Sequence, residues 1–226
     1  MRPKVFVFDA YGTLFDVAAA ARQAADAKGG EVLRSLWPQL AEDWRRKQLE
    51  YSWLRAIMGA HADFAAVTAD ALDWAMEARG LGADRKLRAQ LLSLYDTLGA
   101  YPEVAGVLQA LHDKRARLAI LSNGSPEMLA TAVSSAGIGG LIEAALSVED
   151  VGIFKPATQV YQLVETHLGV PPSQVMFVSS NGWDIAGAAR FGFTTTWINR
   201  AGLPIDRLPH GPAHILPDLT RLTEFA

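Results

Sequence analysis

The stretch VFVFDAYGTL at residues 5–14 decides the fold. Its first four residues are apolar, favour β-structure and do not alternate with polar residues, a pattern typical of a central parallel strand covered on both faces. Asp9 follows at the carboxyl end of this strand, where open α/β sheets bind their ligands. We therefore predict that the strand carries Asp9 into a functional site. Taken alone, an aspartate before Gly-Thr is equally typical of a turn, so the later segments must supply its partners.

Composition and charge exclude several classes of function. The chain has 226 residues, 50% hydrophobic and 20% charged, which is ordinary for a globular protein. A formal net charge of -3 gives no excess of positive charge for binding nucleic acid or an anionic membrane surface. With Cys 0, disulfides, thiolate metal sites and a cysteine nucleophile are excluded. Since we find no leader pattern and no apolar stretch of membrane-spanning length, we expect a cytoplasmic protein.

Residues 16–98 are predicted to form a helical cap subdomain. Ala, Leu, Arg, Glu and Trp dominate this block, and strand-like runs disappear. We expect Gly29-Gly30 to break the first helix and Pro38 to lie in the first turn of the second. On the second helix, Arg45, Gln48 and Ser52 lie on a polar face. A buried apolar stripe is predicted at helical spacing, at Leu40, Trp44, Tyr51, Leu54 and Met58.

Two further helices are predicted in the cap from their capping residues. Thr68 is expected to cap a helix that stops at Gly80, and Asp84 to cap another with leucines at helical spacing.

From residue 99 onward, helices alternate with short apolar runs, which is the signature of parallel βαβ units. Strands are predicted at 118–121, 144–148, 175–178 and 194–198, and the tail from residue 201 is predicted to be a loop followed by a short closing helix. The predicted fold class is α/β: a Rossmann-like, doubly wound parallel sheet. Residues 1–15 and 99–226 form this catalytic core, and the cap is inserted after the first strand.

Polar residues follow several of these predicted strands. Asp9, Ser122-Asn123, Lys155 and the loop at 179–184 each follow a strand or its loop, so the fold brings them to one edge of the sheet. An ionised aspartate can act as a nucleophile in covalent catalysis, and Lys155 would balance its charge. Ser122 and the amides that open the following helix would form a cradle for a carboxylate or a phosphate. Ser-Asn-Gly by itself is more often a plain turn.

The same segments resemble the motifs of the haloacid dehalogenase superfamily. The four motifs are matched by Asp9 with Thr13, by Ser122, by Lys155 and by Asp184. Longer strings look specifically like the L-2-haloacid dehalogenases: DAYGTLFD at 9–16, WRRKQLEY at 44–51, LSNGSP at 121–126 and SSNGWD at 179–184.

This resemblance implies a hydrolase without cofactor or metal that converts an L-2-haloacid and water into a D-2-hydroxy acid and halide through an ester on Asp9. It implies that Arg45 and Asn123 assist halide departure and that Ser122 binds the substrate carboxylate. It also implies a homodimer. Pocket walls would come from Ala10, Tyr11, Phe64 and Trp183, and support for the nucleophile, ester or water from Thr13, Lys155, Tyr161, Ser179, Asn181 and Asp184.

Tyr11 bears on the choice between branches of the superfamily. Its phosphatases place a second aspartate at this position to protonate the leaving group, a contribution of about 10²–10⁴-fold that a departing halide does not need. A haloacid also accumulates less negative charge than a phosphoryl group, so the demand for Mg²⁺ falls. The alternatives are a Mg²⁺-dependent phosphatase of small metabolites, and a catalytically idle domain that binds a small carboxylate.

Some of these residues have ordinary structural explanations as well. Phe64, Trp183 and Tyr161 are each typical of core packing, and Arg45 of a solvated helix charge. Arg46 follows Arg45 directly, and neighbouring helix positions point about 100° apart, so the two arginines cannot easily face one pocket. The five histidines lie in no motif and are predicted to have no catalytic role.

Overall fold

A computed structural model describes residues 2–28, 31 and 33–226. Its core is a six-stranded, all-parallel sheet in the order β3-β2-β1-β4-β5-β6. The strands are β1 (Val5–Phe8), β2 (Arg117–Ser122), β3 (Ala144–Ser147), β4 (Val175–Ser179), β5 (Thr194–Ile198) and β6 (His214–Leu216). The predicted α/β class with a doubly wound parallel sheet is confirmed.

The central strand β1 is fully buried, as its unbroken apolar run predicts. Val5 aligns with Arg117 of β2 on one side and with Val175 of β4 on the other. The chain runs outward from β1 through β2 to β3, and through β4 to β6 on the other side. The strand order therefore reverses at β1, and the crevice at a reversal point is where such sheets bind ligands.

Helices pack around the sheet and build the cap. The core helices are α5 (Val104–Asp113), α6 (Pro126–Ser135), α7 (Thr158–Leu168) and α8 (Gly182–Phe191). The cap helices are α1 (Ala19–Asp26), α2 (Trp37–Met58), α3 (Phe64–Ala78) and α4 (Arg85–Asp96). Pro38 lies in the first turn of α2, as expected. The predicted break at Gly29-Gly30 lies outside the described residues.

The two chain segments that connect the cap to the core run side by side. Phe15 and Ala100 form an antiparallel bridge. The amide of Asp16 donates to Gly99 O at 3.1 Å, and that of Tyr101 donates to Leu14 O at 2.9 Å. These contacts lie at the predicted cap boundaries, although the division into two subdomains stays a prediction.

The predicted apolar stripe on α2 is wrong in its second half. Leu54 and Met58 are 45% and 67% exposed, whereas Gln48 and Ser52 of the supposed polar face are buried. Burial is tolerated because these polar groups are hydrogen-bonded. The amide of Gln48 donates to Thr68 Oγ1 at 2.7 Å, and Ser52 Oγ donates to Gln48 O at 2.8 Å.

Two local predictions are also corrected. Thr68 lies inside α3, where its hydroxyl donates to Phe64 O, and the N-cap of α3 is Asp63. Asp84 caps α4 as predicted, accepting from Leu87 N at 2.9 Å. The tail contains strand β6 before its closing 3₁₀ helix at Thr220–Phe225, and this three-residue strand was missed because it is too short to show a pattern. No described helix is long and apolar enough to cross a membrane.

Candidate active site

A buried lysine lies between two buried carboxylates at the carboxyl edge of the sheet. Lys155 Nζ donates to Asp9 Oδ1 at 3.1 Å and to Asp184 Oδ2 at 2.9 Å. The side chains of Lys155 and Asp184 are 1% and 0% exposed. One cation thus partly neutralises two carboxylates in a region that is largely closed to solvent.

The order of the sheet explains why these side chains meet. Asp9 follows β1, and its amide donates to Val178 O of β4 at 2.9 Å, which extends the strand pairing by one residue. Asp184 lies in the first turn of α8, directly after β4. Lys155 lies in the loop between β3 and α7, and its amide donates to Asn123 Oδ1, just after β2, at 3.0 Å. The predicted convergence of these segments is confirmed.

The second oxygen of Asp9 is held by uncharged donors. Asp9 Oδ2 accepts from Thr13 Oγ1 and from Asn181 Nδ2, each at 2.9 Å, while Ser179 Oγ lies 3.5 Å away. Thr13 Oγ1 in turn accepts from the amide of Ser180 at 2.8 Å. The orientation of the Asp9 carboxylate is therefore fixed from both sides.

Burial governs the protonation of the charged cluster. Burial raises the pKa of Asp184 to about 6, although the Lys155 ammonium acts in the opposite direction. Burial alone would lower the pKa of Lys155, but the charges of Asp184 and Asp9 hold it above its usual value. Tyr161 donates to Asp184 Oδ1 at 2.8 Å, and burial raises the pKa of its own phenol. At neutral pH the cluster holds an ammonium, ionised Asp184 and a neutral phenol.

Arg45 reaches this site from the cap. Its Nη2 lies 3.3 Å from both Tyr11 O and Asn181 Oδ1, and its Nη1 donates to Gln48 Oε1 at 2.7 Å. Arg46 points elsewhere: it pairs with Asp43 at 2.9 Å and lies over the ring of Trp74 at 5.1 Å. The two arginines thus occupy different faces of α2, as their spacing predicts.

A small cavity, with room for about one water molecule, lies against Asp9. Its volume is about 10 Å³. The lining includes both charged groups and apolar walls, namely Asp9, Tyr11, Arg45, Leu49, Phe64, Ser122, Asn123 and Trp183. Ala10 is buried but does not line it; its carbonyl accepts from the amides of Thr13, Leu14 and Phe15. The other six predicted site residues do not line the cavity and lie around Asp9 and its partners instead: Thr13, Lys155, Tyr161, Ser179, Asn181 and Asp184.

Ser122 and Tyr11 form two walls of this cavity with distinct chemistry. Ser122 Oγ accepts from the amide of Gly124 at 3.0 Å, which leaves its hydroxyl proton available to an anion. Tyr11 stacks on Tyr95 with ring centroids 5.6 Å apart, and burial raises the pKa of its phenol well above the usual value. Tyr11 therefore stays a neutral phenol and a very weak acid.

Sequence reasoning missed three residues around the site. Leu49 lines the cavity one turn after Arg45, and i,i+4 spacing on α2 is the signal that could have found it. Gln48 holds the guanidinium of Arg45. Arg200 lies over the ring of Tyr101 at 3.8 Å and donates to Thr13 O at 3.1 Å, so it braces the cap connections, and no sequence pattern marks it.

Comparison with known proteins gives the family of this chain. The model of the haloacid dehalogenase-like hydrolases matches residues 3–192. (S)-2-haloacid dehalogenase 1 of Pseudomonas sp. (strain CBS-3) is 44% identical over 221 residues, 97% of this chain and 94% of the relative. The chain belongs to the haloacid dehalogenase-like hydrolases. (S)-2-haloacid dehalogenase 4A of Burkholderia cepacia is 43% identical over 88% of this chain and 84% of its own.

Solved structures agree with this membership of the haloacid dehalogenase-like hydrolases. The L-2-haloacid dehalogenase from Xanthobacter autotrophicus with chloropropionic acid covalently bound superposes with a TM-score of 0.86 at 37% identity, covering 98% of this chain and 97% of that one. A dehalogenase with an intermediate complex gives a TM-score of 0.92 at 39% identity, covering 98% and 96%.

Within the described ranges, no three His, Asp or Glu side chains are grouped so as to hold a metal ion.

The buried cluster predicts a pH-dependent stability change in a Lys155→Met variant. Removing the ammonium leaves two buried carboxylates facing each other, so the free energy of unfolding should fall by about 3–5 kcal/mol at neutral pH. The loss should shrink at pH about 5, because Asp184, with its raised pKa, then takes up a proton more readily in the folded state than in the unfolded state. Urea unfolding at both pH values measures this.

The exposed Lys86 offers a control. Lys86→Met should change the free energy of unfolding by less than about 0.5 kcal/mol at either pH. Equal losses at the two pH values in the Lys155 variant, or none, would contradict the assigned charge states.

Proposed function

We propose that this protein hydrolyses L-2-haloacids to D-2-hydroxy acids and halide through an ester on Asp9. The carrying observation is the Asp9 carboxylate, fixed by Lys155, Thr13 and Asn181 against a small cavity that an arginine enters from the cap. The relatives named above support the reaction class, and the covalent chloropropionic acid in the Xanthobacter autotrophicus structure supports the ester route.

In the first step, a carboxylate oxygen of Asp9 attacks C2 of the substrate. A C–O bond forms as the carbon–halogen bond breaks, the electron pair leaves with the halide, and the configuration at C2 inverts. We assign halide binding to Arg45 and Asn123, which both line the cavity. Because a halide leaves without a proton, this step needs no general acid, and the neutral Tyr11 at the cavity wall is compatible with it.

The substrate carboxylate is assigned to Ser122 and the amides at the start of α6. Ser125 caps this helix, accepting from the amide of Met128, and Pro126 occupies its first turn. Amides at a helix start have no carbonyl acceptor within the helix and can donate to an anion. A charged group bound there would orient C2 toward Asp9. The apolar walls at Tyr11, Phe64 and Trp183 would contact the rest of a small acid.

In the second step, water attacks the side-chain carbonyl carbon of the ester. The bond between that carbon and the substrate oxygen breaks, the hydroxy acid leaves, and Asp9 keeps one solvent oxygen. We assign Asp184, whose pKa is about 6, to take one proton from the water and return it to the departing alkoxide, so that the product leaves as the hydroxy acid. The second proton of the water passes to solvent, and Asp9 becomes a carboxylate again. Lys155 stabilises the oxyanion that develops, with Ser179 and Asn181 positioned around the carbonyl. Tyr161 holds Asp184 in place.

The decisive assay is halide release from separate L- and D-2-chloropropionate with EDTA present. We expect turnover of the L-acid only, unaffected by chelation, because Lys155 already supplies the positive charge between the carboxylates. A generic phosphate ester with Mg²⁺ serves as the control for the phosphatase alternative and should release no phosphate. Chelation that abolishes halide release, together with phosphatase activity in Mg²⁺, would favour the alternative. Loss of all activity in both assays would favour an idle domain.

The two arginines of α2 give a matched pair of variants. Arg45→Ala should lower kcat for L-2-chloropropionate by about 10²-fold or more, because its guanidinium enters the cavity where charge leaves with the halide. Arg46→Ala should change kcat less than about twofold, because Arg46 makes half-exposed ion pairs and packs on Trp74, away from the cavity. Steady-state kinetics with circular dichroism of each variant measures this. Equal effects, or the reverse order, would show that the wrong arginine is assigned.

The covalent role of Asp9 is tested by a single turnover in ¹⁸O-water with enzyme in excess. Attack by Asp9 supplies the product oxygen, so the label should enter the peptide that contains Asp9 and be absent from the new hydroxyl. Asp9→Asn should abolish turnover with the fold retained, since the amide is nearly the same shape but a poor nucleophile. Label in the product hydroxyl and none in Asp9 would make Asp9 a general base instead.

We further propose a homodimer formed through the cap. A groove of about 620 Å³ lies between α2 and α3, and Tyr51, Leu54, Met58 and Trp74 provide its apolar walls. Leu54 and Met58 are exposed in the single chain, and a second copy would cover them. The cytoplasmic location stays a prediction, to be checked by cell fractionation.

Sedimentation of Leu54→Glu tests this dimer. The unsubstituted protein should sediment at twice the mass of the chain, and the variant at the mass of one chain, because a buried unpaired carboxylate opposes association. The control Leu203→Glu changes an exposed leucine outside the groove and should leave the dimer intact. A monomeric unsubstituted protein would contradict the proposal.

A further inference from the structure

A large apolar chamber adjoins the small cavity at Asp9. Its volume is about 710 Å³, and it lies between the cap helix α2, the loop before α7, the start of α8 and the tail. We define it by its main apolar walls: Trp53, Ile57, Ile153, Phe154, Trp183 and Leu208. Nothing in the proposed reaction of a small haloacid uses this space.

The chamber and the cavity share a wall. Trp183 lines both spaces. Phe154 of the chamber packs against Phe64 of the cavity with ring centroids 6.0 Å apart, and it directly precedes Lys155. A substituent that outgrows the cavity would therefore meet the chamber after passing one aromatic ring.

The partition, by which we mean the wall between the chamber and the cavity, contains a pair of aromatic rings, and the ring on the chamber side makes no hydrogen bond to a described residue. Trp53 meets Trp183 edge to face, with ring centroids 5.4 Å apart and planes at 79°. The indole N–H of Trp53 is buried, and no described residue accepts from it. The ring is therefore held by aromatic packing, and an apolar ligand that replaces this contact and the buried area can displace it.

We propose that the chamber binds the C2 substituent of larger 2-haloacids, and that Trp53 and Ile57 determine which substituents are accepted. The cavity has room for about one water molecule, so any haloacid must move its walls, and an alkyl chain of several carbons must extend beyond them when C2 is held at Asp9. The mostly apolar chamber on the other side of Trp183 offers carbon walls for such a chain, with Arg190 and His210 among its other lining residues. The inference rests on the proposed function and extends its substrate class to long-chain L-2-haloalkanoates.

The test compares kcat/KM for L-2-bromooctanoate with that for L-2-bromopropionate, as a ratio. Both acids carry one carboxylate, so an effect common to both leaves the ratio unchanged. Ile57 is 82% exposed, so Ile57→Asp should fold normally while placing a charge on the chamber wall. We expect this variant to lower the ratio at least about tenfold, because methylenes would pack against a carboxylate.

Two further variants complete the design. Met58→Asp introduces the same charge at the next residue of α2, which is 67% exposed and does not line the chamber, and it should keep the ratio within about twofold. Trp53→Ala removes the ring that holds Trp183 from the chamber side and should raise the ratio at least about tenfold, because Trp183 can then move aside. Equal changes in the ratio for the two aspartate variants would overturn the inference.

The failure of the inference is distinguishable from that of the proposed function. Bromide release from the short acid but not from the long acid by the unsubstituted protein overturns the inference alone. Release from neither acid overturns the proposed function and the inference with it.

Discussion

The contact between Lys155 and the carboxylates of Asp9 and Asp184 is the constraint on which the rest of the site depends. Two buried carboxylates near each other are tolerated only with a cation and further hydrogen bonds between them. The sheet supplies this arrangement, because the segments after β1, β3 and β4 all arrive at one edge. Thr13 and Asn181 then donate hydrogen bonds to the second carboxylate oxygen of Asp9. Fold and chemistry are thus joined at a single buried charge cluster.

The parallel core could be predicted because buried parallel strands leave unbroken apolar runs in the sequence. The central strand β1 and its terminal Asp9 illustrate this: the same run that requires burial also fixes the sheet position of the carboxylate. Strand β6 could not be predicted, since three residues in a tail provide no periodicity. The convergence of Lys155 with both carboxylates followed from topology, whereas the roles of single residues came from a resemblance and stay proposals.

The cap was harder to predict in detail, because side-chain hydrogen bonds, and not hydrophobicity alone, decide which residues of its helices are buried. On α2 the buried face carries Gln48 and Ser52, while Leu54 and Met58 face outward. A prediction from periodicity places a glutamine at the surface, because it takes no account of hydrogen bonds inside the protein. The buried amide of Gln48 donates such bonds to Thr68 and Tyr95. This polar face also holds Arg45, so the departure from the apolar pattern coincides with the part of the cap that enters the site.

The paired connections between cap and core have a consequence for how such a protein can change. Phe15 and Ala100 form a bridge, so the chain leaves the core and returns to it at adjacent positions. The cap therefore disturbs the connectivity of the sheet no more than a tight turn would. A cap of different length or shape can be exchanged at this junction without altering strand order or the position of Asp9. The buried cluster of Lys155, Asp9 and Asp184 lies wholly in the core, so it can be kept while the cap residues that reach the site diversify.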